Sequence, residues 1–136
     1  MGRPGMDLKK YIRTVLDFPI KGIEFRDITS LVENPQSFNY ALMQLTNDCM
    51  DFKADKIIGI ESRGFVFGAP LARDLEVPFV MARKPGKLPG HCYTQSYKLE
   101  YGEASLSIQS NTAIQSTDKV VIIDDLIATG GTAIAC

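Results

Sequence analysis

The sequence is poor in the residues that build metal centres and disulfide frameworks. It contains a single histidine, His91, and three scattered cysteines, Cys49, Cys92 and Cys136, with no CxxC pair. This pattern argues against a zinc site or a disulfide framework and favours a reducing compartment, so we expect a cytoplasmic protein. No apolar run approaches the length of a membrane-spanning helix, and we therefore expect no membrane partner.

Two further absences narrow the possible functions. The formal net charge is only −1, so no overall basic character favours nucleic acid or an anionic membrane. The phosphate-binding patterns GxxxxGK[ST] and GxGxxG are also missing. Any anion site must therefore come from local clusters of charged side chains and backbone amides.

The length and periodicity predict one α/β domain over residues 1–136, with residues 1–5 as a leader and Met6 as the initiator. Apolar spacing predicts helices over residues 7–18, from Asn34-Pro35 to Cys49, and along a stripe from Phe65 to Leu75. Short apolar runs predict buried strands at residues 56–60, 78–81 and 119–123. Residues 83–95 are predicted to form a long loop, and residues 95–101 and 103–109 a hairpin around Gly102.

Strands that alternate with helices are typical of a mainly parallel sheet flanked by helices. In such sheets ligands bind beyond the carboxyl ends of the strands. Polar residues follow all three predicted strands at that end: Glu61, Ser62 and Arg63, then Arg83 and Lys84, then Asp124 and Asp125.

The most informative stretch is VVIIDDLIATGGT, residues 120–132. A strand that ends on two carboxylates is followed at once by a turn of small residues. Backbone N–H groups in such a turn can wrap a phosphate, and adjacent carboxylates suit ribose hydroxyls, a magnesium shell or a developing positive charge. A polar strand end with an ordinary Gly-Gly turn is the simpler alternative.

This string resembles the signature of the type I phosphoribosyltransferases, which bind 5-phosphoribosyl 1-diphosphate (PRPP). Further segments resemble the adenine phosphoribosyltransferases in the family's order: DFP, GIEFRDIT, ESRGF, RKPGKLPG and YKLEYG, at residues 17–19, 22–29, 61–65, 83–90 and 97–102. The resemblance covers nearly everything from Met6 onward. It implies a parallel α/β sheet with a flexible loop and hairpin over the active site.

The resemblance also implies a role for individual residues at the sugar and phosphate end. It assigns the 5-phosphate to Ala128, Thr129, Gly130, Gly131 and Thr132, and the ribose with its anomeric charge to Asp124 and Asp125. The diphosphate is assigned to Glu61, Ser62, Arg63, Lys84 and Lys87, and Arg83 is expected to neutralise it as it leaves. Loops like residues 61–63 often carry a non-proline cis peptide bond in this family.

For the base, the resemblance assigns adenine to Phe25 and Arg26. Glu100 is expected to handle the proton that the purine ring loses, with Tyr101 packed beside it. Simpler readings remain open: a core position for Phe25, a surface salt bridge for Arg63, a polar hairpin position for Glu100, a solvated basic loop, and a surface histidine at His91.

The implied reaction converts adenine and PRPP to AMP and diphosphate. It requires Mg²⁺, carried mainly by PRPP, with Asp124 or Asp125 as a water-mediated contact. We expect a homodimer and no nucleic-acid partner. The alternatives are a 6-oxopurine (xanthine or hypoxanthine) phosphoribosyltransferase, a catalytically inactive PRPP- or nucleotide-binding fragment, and a PRPP-sensing regulator.

The chain departs from the family pattern at two places. Ile20-Lys21 follows Pro19 where family members often have proline-glycine after the DFP segment, and the chain stops at Cys136, four residues after the phosphate-binding turn. The family continues through a helix and further strand. We therefore expect a truncated enzyme, a gene fragment or a chain completed by dimerisation.

Overall fold

The computed structural model describes residues 5–99, 102–112 and 114–136. A 3₁₀ helix at Leu8–Tyr11 precedes four α-helices: α1 (Thr29–Glu33), α2 (Pro35–Phe52), α3 (Arg63–Leu75) and α4 (Gly131–Ala135). The strands are β1 (Arg13–Leu16), β2 (Glu24–Asp27), β3 (Lys56–Ile60), β4 (Phe79–Ala82), β5 (Cys92–Leu99), β6 (Gly102–Gln109) and β7 (Val120–Ile123).

The chain divides into two compact units, Met1–Leu45 and Thr46–Cys136. In the first unit β1 pairs antiparallel with β2, and Val15 lies opposite Phe25. The helix predicted over residues 7–18 is therefore wrong beyond Tyr11. Residues of this segment pair with β2 because the chain reverses between the two strands, where Gly22 takes a φ of 91° and donates its N–H to Asp17.

Helix α2 begins where Asn34-Pro35 predicts it. The Asn34 side chain accepts hydrogen bonds from the backbone N–H groups of Gln36 and Ser37, at 3.0 and 3.1 Å. This satisfies two amides that have no partner inside the helix. The start predicted from the N-cap and proline is confirmed, and the predicted stripe ends on Cys49, which is buried.

The second unit contains a three-stranded parallel sheet in the order β4-β3-β7. Its central strand is the most buried, since Ile57, Ile58 and Ile60 are each at most 4% exposed. The predicted strands are confirmed to within about one residue, the usual uncertainty of strand ends. The predicted α/β class with a parallel sheet flanked by helices is confirmed.

Helix α3 lies close to this sheet because two glycines leave room for one aromatic ring. A Cβ atom added at Gly59 or Gly68 would lie 2.7 or 2.8 Å from the ring of Phe79. The same ring packs edge-on against Phe65, with 6.0 Å between centroids. The start of α3 is thereby brought to the carboxyl ends of the strands.

The hairpin β5–β6 is longer than predicted. β5 begins at Cys92, so the loop predicted over residues 83–95 ends before that residue. Strand pairing runs from Cys92 opposite Gln109 to Leu99 opposite Gly102, and hydroxyl pairs such as Thr94–Ser107 reinforce it. The loop was predicted too long because its prolines and glycines lie next to the polar, alternating residues that begin β5.

Strand β7 is less buried than predicted. It pairs with β3, and only Ile123 of its four residues is fully buried, while Ile122 is 36% exposed. In the order β4-β3-β7 it lies at the edge of the sheet. Separately, none of the described helices combines the length and apolar character needed to cross a bilayer.

Candidate active site

The polar residues that follow the parallel strands meet at one edge of the sheet. Those that follow β3 and β7 line a cavity of about 450 Å³. Its walls come from the end of β3, the hairpin, and the turn after β7, and include Glu61, Ser62, Arg63, Leu99, Asp124, Asp125 and residues 126–133. Three predicted groups, at residues 61–63, 124–125 and 128–132, are therefore brought together.

The turn between β3 and α3 has an unusual backbone. The peptide bond between Glu61 and Ser62 is cis, as the family resemblance implied. Arg63 then begins α3, and Gly64 lies against the end of β7, where an added Cβ atom would be 2.5 Å from the carbonyl oxygen of Ile123. Only glycine allows the helix to start this close to Asp124.

Asp125 is almost buried and forms an ion pair with Arg63. The distance from Arg63 Nε to Asp125 Oδ2 is 2.7 Å, and the side chains are 48% and 7% exposed. The salt bridge that the sequence left open as the simpler reading of Arg63 is therefore present. Its partner is one of the two predicted ribose-binding carboxylates, so the pair lies inside the cavity.

Asp124 is in a different environment from its neighbour. Its Oδ1 accepts a hydrogen bond from the backbone N–H of Asp125 at 2.9 Å. Burial raises the pKa of Asp124 to about 6, and the neighbouring Asp125 carboxylate adds to the rise. Near neutral pH the Asp125 carboxylate is thus paired with Arg63, whereas burial disfavours the charged form of Asp124.

The turn after β7 offers backbone amides to the cavity. Within the described part of the chain, the N–H groups of residues 126–130 donate no hydrogen bond to another protein group. Gly130 adopts a φ of 83° before α4, a conformation that a side chain disfavours. Leu126 and Ile127 are 57% and 69% exposed. The backbone, rather than these side chains, is what the turn presents to an anion.

The predicted basic residues after β4 form a second group, which we call the basic segment (residues 83–87). Arg83 pairs with Glu61 at 2.9 Å and donates to the carbonyl oxygen of Lys87 at 3.2 Å. The backbone N–H of Lys84 donates to the other carboxylate oxygen of Glu61 at 2.8 Å. These bonds, that from Arg83 first, lower the pKa of Glu61, so its carboxylate stays ionised.

A second cavity of about 450 Å³ adjoins the first and shares residues with it. Glu61, Asp124 and Thr132 line both cavities, whereas Lys84 and Tyr97 line only this one. Sequence reasoning missed Tyr97 and Leu99. Both lie in the segment YKLEYG that carries the resemblance, but the alternation of the hairpin shows only that one face is covered and not what covers it.

The described residues that are predicted to bind the base are not among those that line the cavity. Glu100 and Tyr101 lie outside the described residues. Phe25 and Arg26 belong to the first unit, where Phe25 packs edge-on against Phe18 with 5.1 Å between centroids. Arg26 forms an ion pair with Glu24 at 3.3 Å and contacts the hydroxyl of Thr14. Their assignment to adenine stays a prediction.

The carboxylates of the cavity fit a Mg²⁺ ion that binds together with a phosphate-containing substrate. Among the described residues, no group of three histidine, cysteine or acidic side chains is arranged to hold a metal ion. The cavity supplies two adjacent carboxylates, one of them engaged by Arg63. Mg²⁺ commonly binds through one or two carboxylates, several waters and substrate phosphates, so these residues fit it in that mode.

Comparisons with known proteins agree on one family. Residues 28–136 match the phosphoribosyl transferase domain. The adenine phosphoribosyltransferase of Trichodesmium erythraeum is 52% identical over 128 residues, which cover 94% of this chain and 75% of the relative. That of Microcystis aeruginosa is 54% identical over 130 residues, with the same coverage.

Solved structures give the same result. The crystal structure of adenine phosphoribosyltransferase from Thermoanaerobacter pseudethanolicus matches with a TM-score of 0.88 and 48% identity, covering 95% of this chain and 74% of that chain. The enzyme from Giardia lamblia, complexed with 9-deazaadenine, matches with a TM-score of 0.87 and 37% identity, covering 95% and 71%. The chain therefore belongs to the phosphoribosyltransferase family, among the adenine phosphoribosyltransferases.

Proposed function

We propose that this chain transfers the phosphoribosyl group of PRPP to adenine, giving AMP and diphosphate in purine salvage. The observation that carries the proposal is the shared cavity, in which Arg63, the carboxylates Asp124 and Asp125, and the amide-rich turn 126–132 face one another. These groups match, in order, a diphosphate, a ribose and a 5-phosphate. Family membership supplies the adenine specificity.

In this proposal the turn 126–132 binds the 5-phosphate through its backbone N–H groups and the hydroxyls of Thr129 and Thr132. Backbone amides without a protein acceptor suit an anion because binding it breaks no hydrogen bond within the protein. Asp124 and Asp125 then lie beneath the ribose. Their charge stabilises the positive charge that develops at the anomeric carbon as the bond to diphosphate lengthens.

Arg63 and Lys84 stabilise the leaving diphosphate. Arg63 is held by Asp125 before any ligand binds, so a diphosphate must share or displace that ion pair. The base itself is the nucleophile, and no covalent intermediate with the protein is needed. The ring proton of adenine is assigned to Glu100, and the purine to Phe25 and Arg26. Mg²⁺ neutralises part of the phosphate charge when it is bound with PRPP.

The predicted homodimer and cytoplasmic location are part of the same proposal. The three described cysteines are all free thiols, as a reducing compartment favours. Sedimentation equilibrium at micromolar concentration measures the mass directly, and a monomer at all concentrations would contradict the homodimer.

The proposal is tested by incubating the purified chain with PRPP, Mg²⁺ and each of adenine, hypoxanthine, guanine and xanthine. Chromatography should show AMP from adenine and no nucleotide from the others. Asp125→Asn should slow the reaction by about 100-fold, because it removes a buried charge that faces the reacting carbon. Asp74→Asn, in the exposed pair Arg73–Asp74, is the matched control and should leave the rate unchanged.

Two outcomes would contradict the proposal in different ways. Nucleotide from hypoxanthine or xanthine but not adenine would make the chain a 6-oxopurine enzyme. No product from any base, with AMP still bound in calorimetry, would make it an inactive nucleotide-binding protein.

A further inference from the structure

Glu61 is an acidic residue in a place where family resemblance predicts diphosphate binding. A carboxylate beside an anion site repels the ligand unless its charge is already compensated. In the structure both carboxylate oxygens are engaged: Oε1 by Arg83 Nη2 at 2.9 Å and Oε2 by the backbone N–H of Lys84 at 2.8 Å. Glu61 therefore contacts the basic segment at two points.

Arg83 is engaged at both ends of its guanidinium group. Nη2 donates to Glu61, and Nη1 donates to the carbonyl oxygen of Lys87 at 3.2 Å. Nε is buried and has no partner among the described residues. Because the planar fork spans two internal acceptors, its donors are committed to holding the segment in place.

The backbone of the segment is fixed at its start. Arg83 and Ser107 of β6 exchange both backbone hydrogen bonds, at 3.0 and 2.7 Å. The N–H of Lys87 then donates to the carbonyl oxygen of Lys84 at 3.2 Å, closing a turn. The turn leaves Lys84 lining the cavity that Asp124 and Thr132 also line.

We propose that Glu61 is a positioning residue, which acts with Arg83 to hold the basic segment so that Lys84 faces the diphosphate. The proposal rests on the proposed function for the identity of the ligand. It gives Arg83 an indirect role in place of the direct contact predicted from the sequence. Lys84 supplies the charge, and the Glu61–Arg83 pair fixes where that charge lies.

The sign of one mutational effect separates this role from a simple electrostatic one. Glu61→Gln removes a negative charge beside the anion site, which by charge alone should tighten diphosphate binding. A glutamine, however, has one acceptor oxygen and can keep only one of the two hydrogen bonds. If Glu61 acts by positioning, calorimetry with inorganic diphosphate and Mg²⁺ should show binding weakened about fivefold to tenfold.

A double-mutant cycle tests whether the two residues act as a unit. Arg83→Gln should weaken diphosphate binding by a similar factor, and the double variant should be no weaker than either single variant. Arg83→Lys should bind diphosphate no better than Arg83→Gln, because one ammonium group cannot reach both acceptors. Glu33→Gln, at the exposed end of α1, is the charge-matched control and should bind like the unmodified chain. Tighter binding by Glu61→Gln, or additive losses, would overturn the proposal.

Limited trypsin digestion tests the same idea without any ligand. Cleavage after Lys87 should be about threefold to tenfold faster in Glu61→Gln and Arg83→Gln than in Glu33→Gln, since the turn loses its anchors. Equal rates would overturn the proposal. If the unmodified chain binds neither PRPP nor diphosphate, the proposed function fails, and digestion still decides the role of Glu61. If Glu61→Gln does not fold, Arg83→Gln and Arg83→Lys are used instead for both calorimetry and digestion.

Discussion

The two anion-binding regions of the site are built in opposite ways. The basic segment is charged, donates hydrogen bonds to Glu61, exchanges backbone hydrogen bonds with Ser107, and closes a turn of its own. The turn 126–132 bears no positive side chain, and among the described residues its first five amides have no protein acceptor. In the basic segment a fixed backbone positions flexible lysine side chains. In the turn 126–132 the backbone itself is available to the ligand.

This difference follows from what each region must do. Lysine side chains are long and flexible, so a lysine gives a defined site only when its backbone is anchored. Backbone amides need no such anchor, but they need small residues that let a phosphate approach. Breaking either arrangement should therefore have distinct and measurable effects.

The largest effect is expected at Gly64, which supports the base of the turn 126–132. Gly64→Ala places a Cβ atom against the carbonyl oxygen of Ile123 and should displace Asp124. We expect a loss of about 2–4 kcal/mol in unfolding free energy and of at least about 100-fold in kcat/KM. Urea unfolding and initial-rate assays measure the two losses.

Gly68→Ala is the control for that prediction. It introduces a comparable clash, with the ring of Phe79, in the core rather than at the site. Stability should fall, but the activity per folded molecule should be retained. Full activity in folded Gly64→Ala would show that the close approach to Asp124 is unimportant.

The next effect concerns the pH dependence of stability. Because the pKa of Asp124 rises from 3.8 to about 6 on folding, the folded chain keeps this proton longer than the unfolded chain. Stability is therefore lost as pH rises from about 4 to about 6, and the loss persists above that range. Asp124→Asn should be more stable than the unmodified chain by about 1–2 kcal/mol at pH 7, and the difference should shrink toward pH 4.

Urea unfolding at both pH values measures this difference, with Asp74→Asn as the exposed control. A variant that is less stable than the unmodified chain at pH 7 would show that Asp124 is stabilised by its surroundings rather than strained by burial.

A smaller effect should separate the two regions directly. Gly130 and Gly86 have similar positive φ angles, 83° and 79°, one in each region. Replacing either by alanine should cost about 1 kcal/mol of stability. AMP carries a 5-phosphate but no diphosphate, so Gly130→Ala should weaken AMP binding about tenfold and Gly86→Ala should not. Calorimetry with AMP and with diphosphate gives the comparison, and equal losses of AMP affinity would remove the distinction.

The smallest effect is expected for an ion pair outside the site. Arg73→Gln breaks the exposed pair Arg73–Asp74, whose side chains are 85% and 36% exposed. Stability should change by less than about 0.5 kcal/mol. A thermal shift as large as that of Arg83→Gln would show that burial does not distinguish the two pairs.

Much of this arrangement was open to prediction from the sequence. Short apolar runs gave β3, β4 and β7, because the strands of a parallel sheet flanked by helices consist mainly of apolar residues. The segments at residues 61–63, 83–84 and 124–132 were predicted to meet, because parallel strands end at the same edge of a sheet. The same reasoning failed at residues 12–16, where an apolar spacing of three and four was mistaken for a helix.

Only the tertiary structure decided which charges pair. The sequence places Glu61, Arg63, Arg83 and Asp125 at one edge of the sheet, but which of them form ion pairs depends on their side-chain positions in the folded chain. The structure joins Arg63 to Asp125 and Arg83 to Glu61. The sequence thus determined the kind of site, because strand order and residue type follow from local pattern. The division of roles within it was decided by packing, because side-chain contacts between distant segments leave no periodic signal.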